Sequence, residues 1–398
     1  MRPEITHFVL KSAKDFINTS GSFRPETGGS SSDLVGDAER LDAAVDWLTR
    51  SIDACGGCAS SKGYRFLKGW MPPYPETSGY IIPTLFALER LGYGDGLARR
   101  AMAIGDWLLT VQREDGGFNG RELGVLQKPV VFDTGMILLG LNSLIDETGA
   151  ERFATAAERA ATFLVSSMGE DGAFMRNLSN DMLHTYNVRA AWALVAFGRL
   201  CGRPDIERHG IANAEWAIRQ QQANGFFRNN TFKPGGQANT HGIAYVLRGL
   251  LQIHELTGIE TLLESVLRTA DRLQQLLDEN GSIAADLGPD WAYLSRHICL
   301  TGYAQLAIIF LKLKDITGRA SYQDVADRLI DAVATTQDIS PGCAPQRGAI
   351  PGSWPIYGRY APLQYPNWAT KFFIDALLAR QCARNGQRVR EVLGPCAG

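Results

Sequence analysis

Seven side chains have the types and spacing to do chemistry on a polar substrate: Glu76, Asp133, His184, Tyr186, Asn187, Arg189 and His241. Five of the six residues in the run His184-Thr185-Tyr186-Asn187-Val188-Arg189 are polar, and four of these, His184, Tyr186, Asn187 and Arg189, can move a proton or hold an anion. Two carboxyls with separated pKa values are what acid–base cleavage of a glycosidic bond needs. A Tyr or His beside an Asn and an Arg is what proton abstraction next to a carboxylate needs, because the cationic and amide groups neutralise the developing charge. Both sets are present, so two mechanisms stay open here. In a hydrolase, Asp133 is the general acid and Glu76 activates water. In a lyase or epimerase, Tyr186 or His241 takes the proton, while Asn187 and Arg189 hold the substrate carboxylate.

These residues lie far apart in sequence, so a repeat must bring them together. Helix-stopping glycines recur at Gly92, Gly149, Gly202, Gly258 and Gly318, at steps of about 57, 53, 56 and 60 residues. A second marker runs in phase: Gln112–Phe118 (QREDGGF), Glu170–Phe174 (EDGAF), Gln221–Phe227 (QQANGFF) and Asp278–Ile283 (DENGSI). Asp-Gly and Asn-Gly are turn signals, and the following aromatic or aliphatic residue is placed to plug a core. Each unit reads as helix, turn, loop, second helix and short connection. Amphipathic first helices are expected near 41–54, 98–112, 153–168, 208–222, 262–278 and 321–337. More apolar second helices are expected near 77–91, 134–147, 186–201, 241–256, 298–316 and 367–382. The fold class expected is all-α, an (α/α)6 toroid with the apolar set inside. A closed ring needs no capping repeats. The expected organisation is an N-terminal extension over 1–38, with one short helix near 4–18, and a single toroid domain over 39–398.

Counting back sixteen residues from each stop glycine reaches Glu76, Asp133, Tyr186, Gly242 and Gly302. In a toroid these positions share one mouth. Helix N-termini there favour an anionic or polyhydroxyl ligand. Loops entering the mouth are rich in aromatics. They give Trp70, Tyr74, Tyr80, His297, Trp354, Tyr360, Asn367 and Lys371 as substrate-binding candidates, with Trp291, Tyr293 and Tyr357 nearby. Thr77, Thr134 and Thr301 read as N-caps. His7, His209 and His254 read as surface residues, and Arg248 as a structural ion-pair partner.

The bulk composition narrows the classes. The 398 residues are 45% hydrophobic and 21% charged, with a formal net charge of −2. That is ordinary for a globular protein and too acidic for a general nucleic-acid binder. No apolar run approaches the roughly 18–20 residues of a membrane span, and the first twenty residues hold no secretory core. A cytoplasmic protein is expected. Seven scattered cysteines argue against a disulfide framework. Cys55 and Cys58 form the one close pair, without a second half for a zinc site, so no metal and no cofactor is expected. Oligomeric state is not readable.

The run Trp107–Phe118 (W-L-x-x-x-Q-x-x-D-G-G-F), with echoes at Trp216–Phe227 and Phe163–Phe174, resembles the repeat of squalene-cyclase and prenyltransferase α/α toroids. That resemblance implies the fold. The Asp-rich cyclase motifs and the prenyltransferase zinc set are absent from this sequence. The polar ring is similar to that of six-hairpin carbohydrate-active enzymes. In unsaturated glucuronyl hydrolases two acids stand on successive inner helices, which Glu76 and Asp133 match. Toroid polysaccharide lyases use a Tyr, a His, an Asn and an Arg. The chain also looks like toroid proteins encoded with bacterial surface-polysaccharide genes. The resemblance implies an enzyme cleaving or modifying an acidic glycan, as hydrolase or uronate lyase or epimerase. The other readings are a non-catalytic glycan-binding or polysaccharide-assembly protein and an isoprenoid cyclase.

Overall fold

The structure, a computed structural model, describes residues 36–340 and 345–393. The expected short helix near 4–18, His7, Cys343 and Cys396 lie outside the described residues. Among the described residues, twelve long helices alternate between two environments. Six are buried on nearly every face: α2 (Pro75–Arg90), α4 (Val131–Thr148), α6 (Val188–Leu200), α8 (Thr240–Thr257), α10 (Leu300–Thr317) and α12 (Asn367–Arg384). In α4 every residue from Val131 to Leu144 is buried. The other six bury one stripe only: α1 (Asp37–Asp53), α3 (Leu97–Val111), α5 (Glu151–Ser166), α7 (Pro204–Arg219), α9 (Glu260–Asn280) and α11 (Ala320–Ala334). In α9 the stripe is Leu262, Val266, Ala270, Leu273 and Leu277, at helical spacing. A short α13 (Val389–Leu393) follows.

The buried set forms the inner ring. α2 packs on α4, α4 on α6, α6 on α8, α8 on α10, α10 on α12, and α12 back on α2. The amphipathic set surrounds it. The predicted helix positions agree with the observed ones to within a few residues. The pairing is shifted by half a unit. Each inner helix packs most closely on the outer helix that follows it through the short, glycine-stopped connection, as α6 does on α7. A connection of a few residues leaves two helices little choice but to lie antiparallel side by side. The sixth pair is therefore split between the ends of the chain, α12 with α1.

The repeated turn explains the sequence signature. Gln112 donates through Nε2 to the Gly116 carbonyl (3.0 Å) and to the Ala156 carbonyl of the next outer helix (2.9 Å). Gln221 does the same to Gly225 and Ser265 (3.4 and 2.8 Å). Gly116 sits at φ 87°, with its α-carbon against the Arg159 carbonyl, where a Cβ would collide. Phe118 plugs the core, and its N–H donates to Thr134 Oγ1 (3.0 Å). Thr134 is thus a receptor for the plug rather than an N-cap.

The last turn hides a third copy of this device. Gln337 donates to the carbonyls of Gly348 (3.0 Å) and Arg40 (2.9 Å). Gly348, at φ 88°, seats on Ala43 of α1, and Ile350 N–H donates to Thr370 Oγ1 (3.0 Å). The device that joins neighbouring units also joins the last to the first. At the mouth, short strands tie the loops together: β1 (Gly63–Arg65) pairs with β2 (Gly69–Trp70) and with β7 (Gln364–Pro366), β3 (Ala238–Asn239) with β4 (Asp286–Leu287), and β5 (Ile298–Cys299) with β6 (Ser353–Trp354). Among the described residues no helix is long and apolar enough to cross a membrane.

Candidate active site

The N-terminal ends of the inner helices converge on one cavity of about 210 Å³. Lys62, Tyr74, Glu76, Tyr80, Asp133, Tyr186, His241, Tyr245 and Tyr360 line it, with Phe132, Ser179, Phe232 and Trp368. The two carboxyls come from the first turns of successive inner helices, α2 and α4. Each is almost wholly buried, at 6% exposure.

Burial raises both carboxyl pKa values, because a buried anion loses its hydration. Glu76 is pushed up to about 7, against the opposing pull of its hydrogen bond to Tyr74 and the charges of Lys62 and Arg189. Asp133 is pushed well above the ordinary carboxylate range, by burial first and by the charge of Glu76 second. Its Oδ1 accepts the Arg121 N–H (3.1 Å). The Tyr74 phenol is a hydrogen-bond partner of both carboxyls. Ionising one carboxyl disfavours ionising the other, so Asp133 keeps its proton while Glu76 ionises as pH rises through about 7. Cations compensate Glu76 and not Asp133, which puts the proton on Asp133.

The opposite wall is aromatic. His241 and Tyr245 approach within 4.1 Å of ring centres, and Tyr186 meets Phe132 edge-on at 5.2 Å. Burial lifts the phenols of Tyr80, Tyr186, Tyr245 and Tyr360 above their ordinary value, so they stand as neutral donors. His241 is held neutral, its pKa driven well below the ordinary value by burial and then by the charge of Arg189.

Of the residues singled out from sequence, Glu76, Asp133, Tyr186, His241, Tyr74, Tyr80 and Tyr360 share this cavity. His184, Asn187 and Arg189 do not line it. His184 stacks on Tyr186 (4.5 Å), with its Nε2 on the Ser179 carbonyl (2.7 Å). Asn187 is buried at the start of α6. Arg189 lies behind the wall, its guanidinium 4.8 Å from the Tyr245 ring centre.

Five of the expected substrate-binding residues do not line this cavity. Trp70 packs on Trp47 (5.3 Å) in a side cluster under the mouth loops. Trp354 sits in β6, paired to Ile298. His297 is turned towards Asp286 (3.9 Å). Asn367 Nδ2 stitches α12 to Ser60, Ser61 and Thr77. Lys371 is fully buried, its Nζ on Asp375 Oδ2 (2.6 Å). His254 is not a surface residue either, since it is buried with Nδ1 on the Ile259 carbonyl (3.1 Å). Cys55 and Cys58 are free thiols, and burial pushes Cys55 up to about 11.

Sequence reasoning missed Lys62, Phe132, Ser179, Phe232, Tyr245 and Trp368. Phe132 adjoins Asp133, and Tyr245 stands one helical turn after His241, so both were within reach of the periodic argument. Lys62, Ser179 and Phe232 come from irregular loops that carry no period.

No protein-family model and no curated protein matches the chain in sequence. Solved structures do match in shape. An unsaturated glucuronyl hydrolase specific for heparin superposes with a TM-score of 0.69 at 15% identity, over 89% of this chain and 100% of that one. The unsaturated glucuronyl hydrolase of Bacillus sp. GL1 gives 0.70 at 16% identity, over 91% and 99%. This chain is a six-hairpin α/α toroid. Cellobiose 2-epimerase from Bacillus thermoamylovorans has the same toroid, at a TM-score of 0.69 and 11% identity over 87% of this chain and 98% of that one. Toroids of this kind thus carry both sugar hydrolysis and sugar epimerisation, so the fold leaves the reaction to the side chains.

Proposed function

We propose that this protein is a glycoside-cleaving hydrolase acting on a terminal, acidic sugar residue. The observation that carries the reading is the buried Glu76–Asp133 pair, sharing one proton beneath the Tyr74 phenol. Asp133 protonates the departing oxygen. Glu76, ionised on its cationic side, removes a proton from a water that adds to the sugar. One bond to the leaving group breaks, one bond to water oxygen forms, and the proton returns to the pair.

Three features support the substrate class. The cavity is below the roughly 300–1,000 Å³ of common ligand pockets, so it suits one ring at a chain end better than a run of polymer. Its walls offer aromatic faces and phenol donors, which match the apolar faces and hydroxyls of a sugar. Lys62 at the wall, which is ion-paired to Glu122 (2.6 Å), Arg189 behind it and the converging helix N-termini place positive groups around the cavity that suit a carboxylate. Unsaturated glucuronyl hydrolases of the same shape act, by name, on such a sugar.

The deciding assay presents oligosaccharides ending in saturated or unsaturated uronic acids. Products are followed by mass, by reducing ends and by ultraviolet absorbance. New reducing ends, with loss of absorbance where the terminal sugar was unsaturated, support the hydrolase. A gain of absorbance means a lyase, and a product of unchanged mass means an epimerase. No product from any oligosaccharide, with binding retained, makes the cavity a glycan-binding site.

A further inference from the structure

Behind His241 three buried side chains from three inner helices form a line: Arg189 on α6, Gln305 on α10 and His241 on α8. Their exposures are 0%, 2% and 4%. Arg189 Nη1 lies 3.2 Å from Gln305 Oε1, and Gln305 Nε2 lies 2.6 Å from His241 Nδ1. Gln305 Nε2 also faces the Thr301 carbonyl at 3.4 Å.

Donor and acceptor chemistry leaves one arrangement. A guanidinium has donors only, so the Gln305 atom facing Arg189 is the carbonyl oxygen. The amide NH2 then points the other way, and both its hydrogens find acceptors, the Thr301 carbonyl and His241 Nδ1. Turning the amide over would set oxygen against the Thr301 carbonyl and NH2 against the guanidinium. Nδ1 of His241 therefore holds a lone pair. A neutral imidazole carries its proton on one nitrogen, so here the proton is on Nε2.

The surroundings keep the ring neutral. His241 packs on Tyr245 of its own helix, on Tyr360 (5.3 Å) from the mouth loop, and on the Phe232 and Phe372 rings. The charge that acts on it is that of Arg189. Cys299, hydrogen-bonded to the His241 backbone, is kept a thiol by burial, which pushes it up to about 12. Nothing in this set favours an imidazolium.

We propose that Arg189 and Gln305 are positioning residues that lock His241 in its Nε2–H form, making it a hydrogen-bond donor to a substrate oxygen and barring it from acting as a base. This deepens the hydrolase reading and rests on it for the identity of the oxygen. It also separates this site from a proton-abstracting one, since a lyase or epimerase base at His241 would need a free lone pair towards the substrate. Arg189 thus takes a different part from the one expected from sequence, where it held the substrate carboxylate by contact. It orients the amide that orients the ring.

The test reads the tautomer directly, in ring-15N histidine spectra of the intact protein. The His241 signals are assigned by their loss in His241→Gln. The expected wild-type pattern is a protonated Nε2 and a bare Nδ1, unchanged from about pH 5 to 8. In Gln305→Glu the carboxylate accepts from Nδ1. His241 is then expected to gain an Nδ1 proton and to titrate, and kcat is expected to fall about 10–100-fold with a new ionisation in the pH profile. Arg189→Lys lets the amide turn, and a mixture of tautomers is expected. A wild-type Nδ1–H pattern overturns the proposal, as does a folded Gln305→Glu protein with unchanged tautomer and kcat. The spectra need no turnover. A wild-type Nε2–H pattern without hydrolysis of any uronate-terminated oligosaccharide would overturn the hydrolase reading and keep the lock.

Discussion

The carboxylate of Glu76 adds to burial in raising the pKa of the Asp133 carboxyl. The two stand at the same depth on neighbouring inner helices, both buried, and the charge of the first is the second-largest cause of the raised pKa of the other. An acid and a base are thereby made from two carboxyls.

Asp133→Asn keeps the shape and the neutral charge but cannot give up a proton. Its kcat on a cleaved oligosaccharide is expected to fall about 10²–10⁴-fold, with KM little changed. Glu76→Gln should fall comparably. Tyr186→Phe should lose less than about tenfold, because the phenol lines the cavity without carrying the proton. The reverse ranking, in steady-state rates on one substrate, would transfer the chemistry to Tyr186.

The pH dependence has a defined sign. The folded pKa of Glu76 is raised from the ordinary 4.5 to about 7. The folded state therefore binds this proton more tightly than the unfolded chain. The stability it contributes is fully present below about pH 4.5 and is lost as pH rises through about 7. Glu76→Gln should then be more stable than wild type at pH 8, by up to about 3 kcal/mol, with the difference closing near pH 4. Denaturant titrations at the two pH values measure it. The acid limb of the rate profile should lie near 7, where Glu76 must ionise.

Lys371 and Asp375 form a fully buried ion pair on α12, with Thr84 donating to Asp375 Oδ1 (2.8 Å). Removing one partner strands a charge. Asp375→Leu is expected to cost about 3–5 kcal/mol, and the double variant with Lys371→Met to recover much of it. A calorimetric melt of the three proteins decides this. A double variant no more stable than the single one would return Lys371 to a role in binding.

Gly348→Ala should destabilise by more than about 3 kcal/mol, because a Cβ there runs into the Ala43 backbone at a positive φ. Gly124→Ala is the control. Gly124 shares the positive φ of 83° but has open space around it, and its cost should stay near 1 kcal/mol. Equal effects on the unfolding midpoint would mean that the seat on α1 bears no strain.

The repeat made the fold legible. Twelve helices showed because their apolar periods and stop glycines are local signals. Glu76, Asp133, Tyr186 and His241 showed because they keep register with those glycines. The phase of the hairpins did not, since loop length, rather than helix order, decides which neighbours pair. The sixth turn was hidden because more residues separate Gln337 from Gly348 than separate Gln112 from Gly116. Loop residues such as Lys62 and Phe232 reach the cavity by irregular paths. Lys371 and Asn367 have the right types for binding but spend their polar groups on the protein itself, and no local pattern tells the two uses apart.

The splitting of the sixth pair has a consequence for the birth of the molecule. Helix α1 leaves the ribosome long before several of its partners, which lie some three hundred positions later: Arg40 bonds the Ala334 carbonyl, Trp47 the Pro345 carbonyl, and Asp37 pairs with Arg380. At about 5–20 residues per second, that partner emerges tens of seconds afterwards. Until then the stripe of Leu41, Leu48 and Ile52 has no seat. Helix α1 must therefore wait through about three hundred residues of synthesis for the segment that houses it.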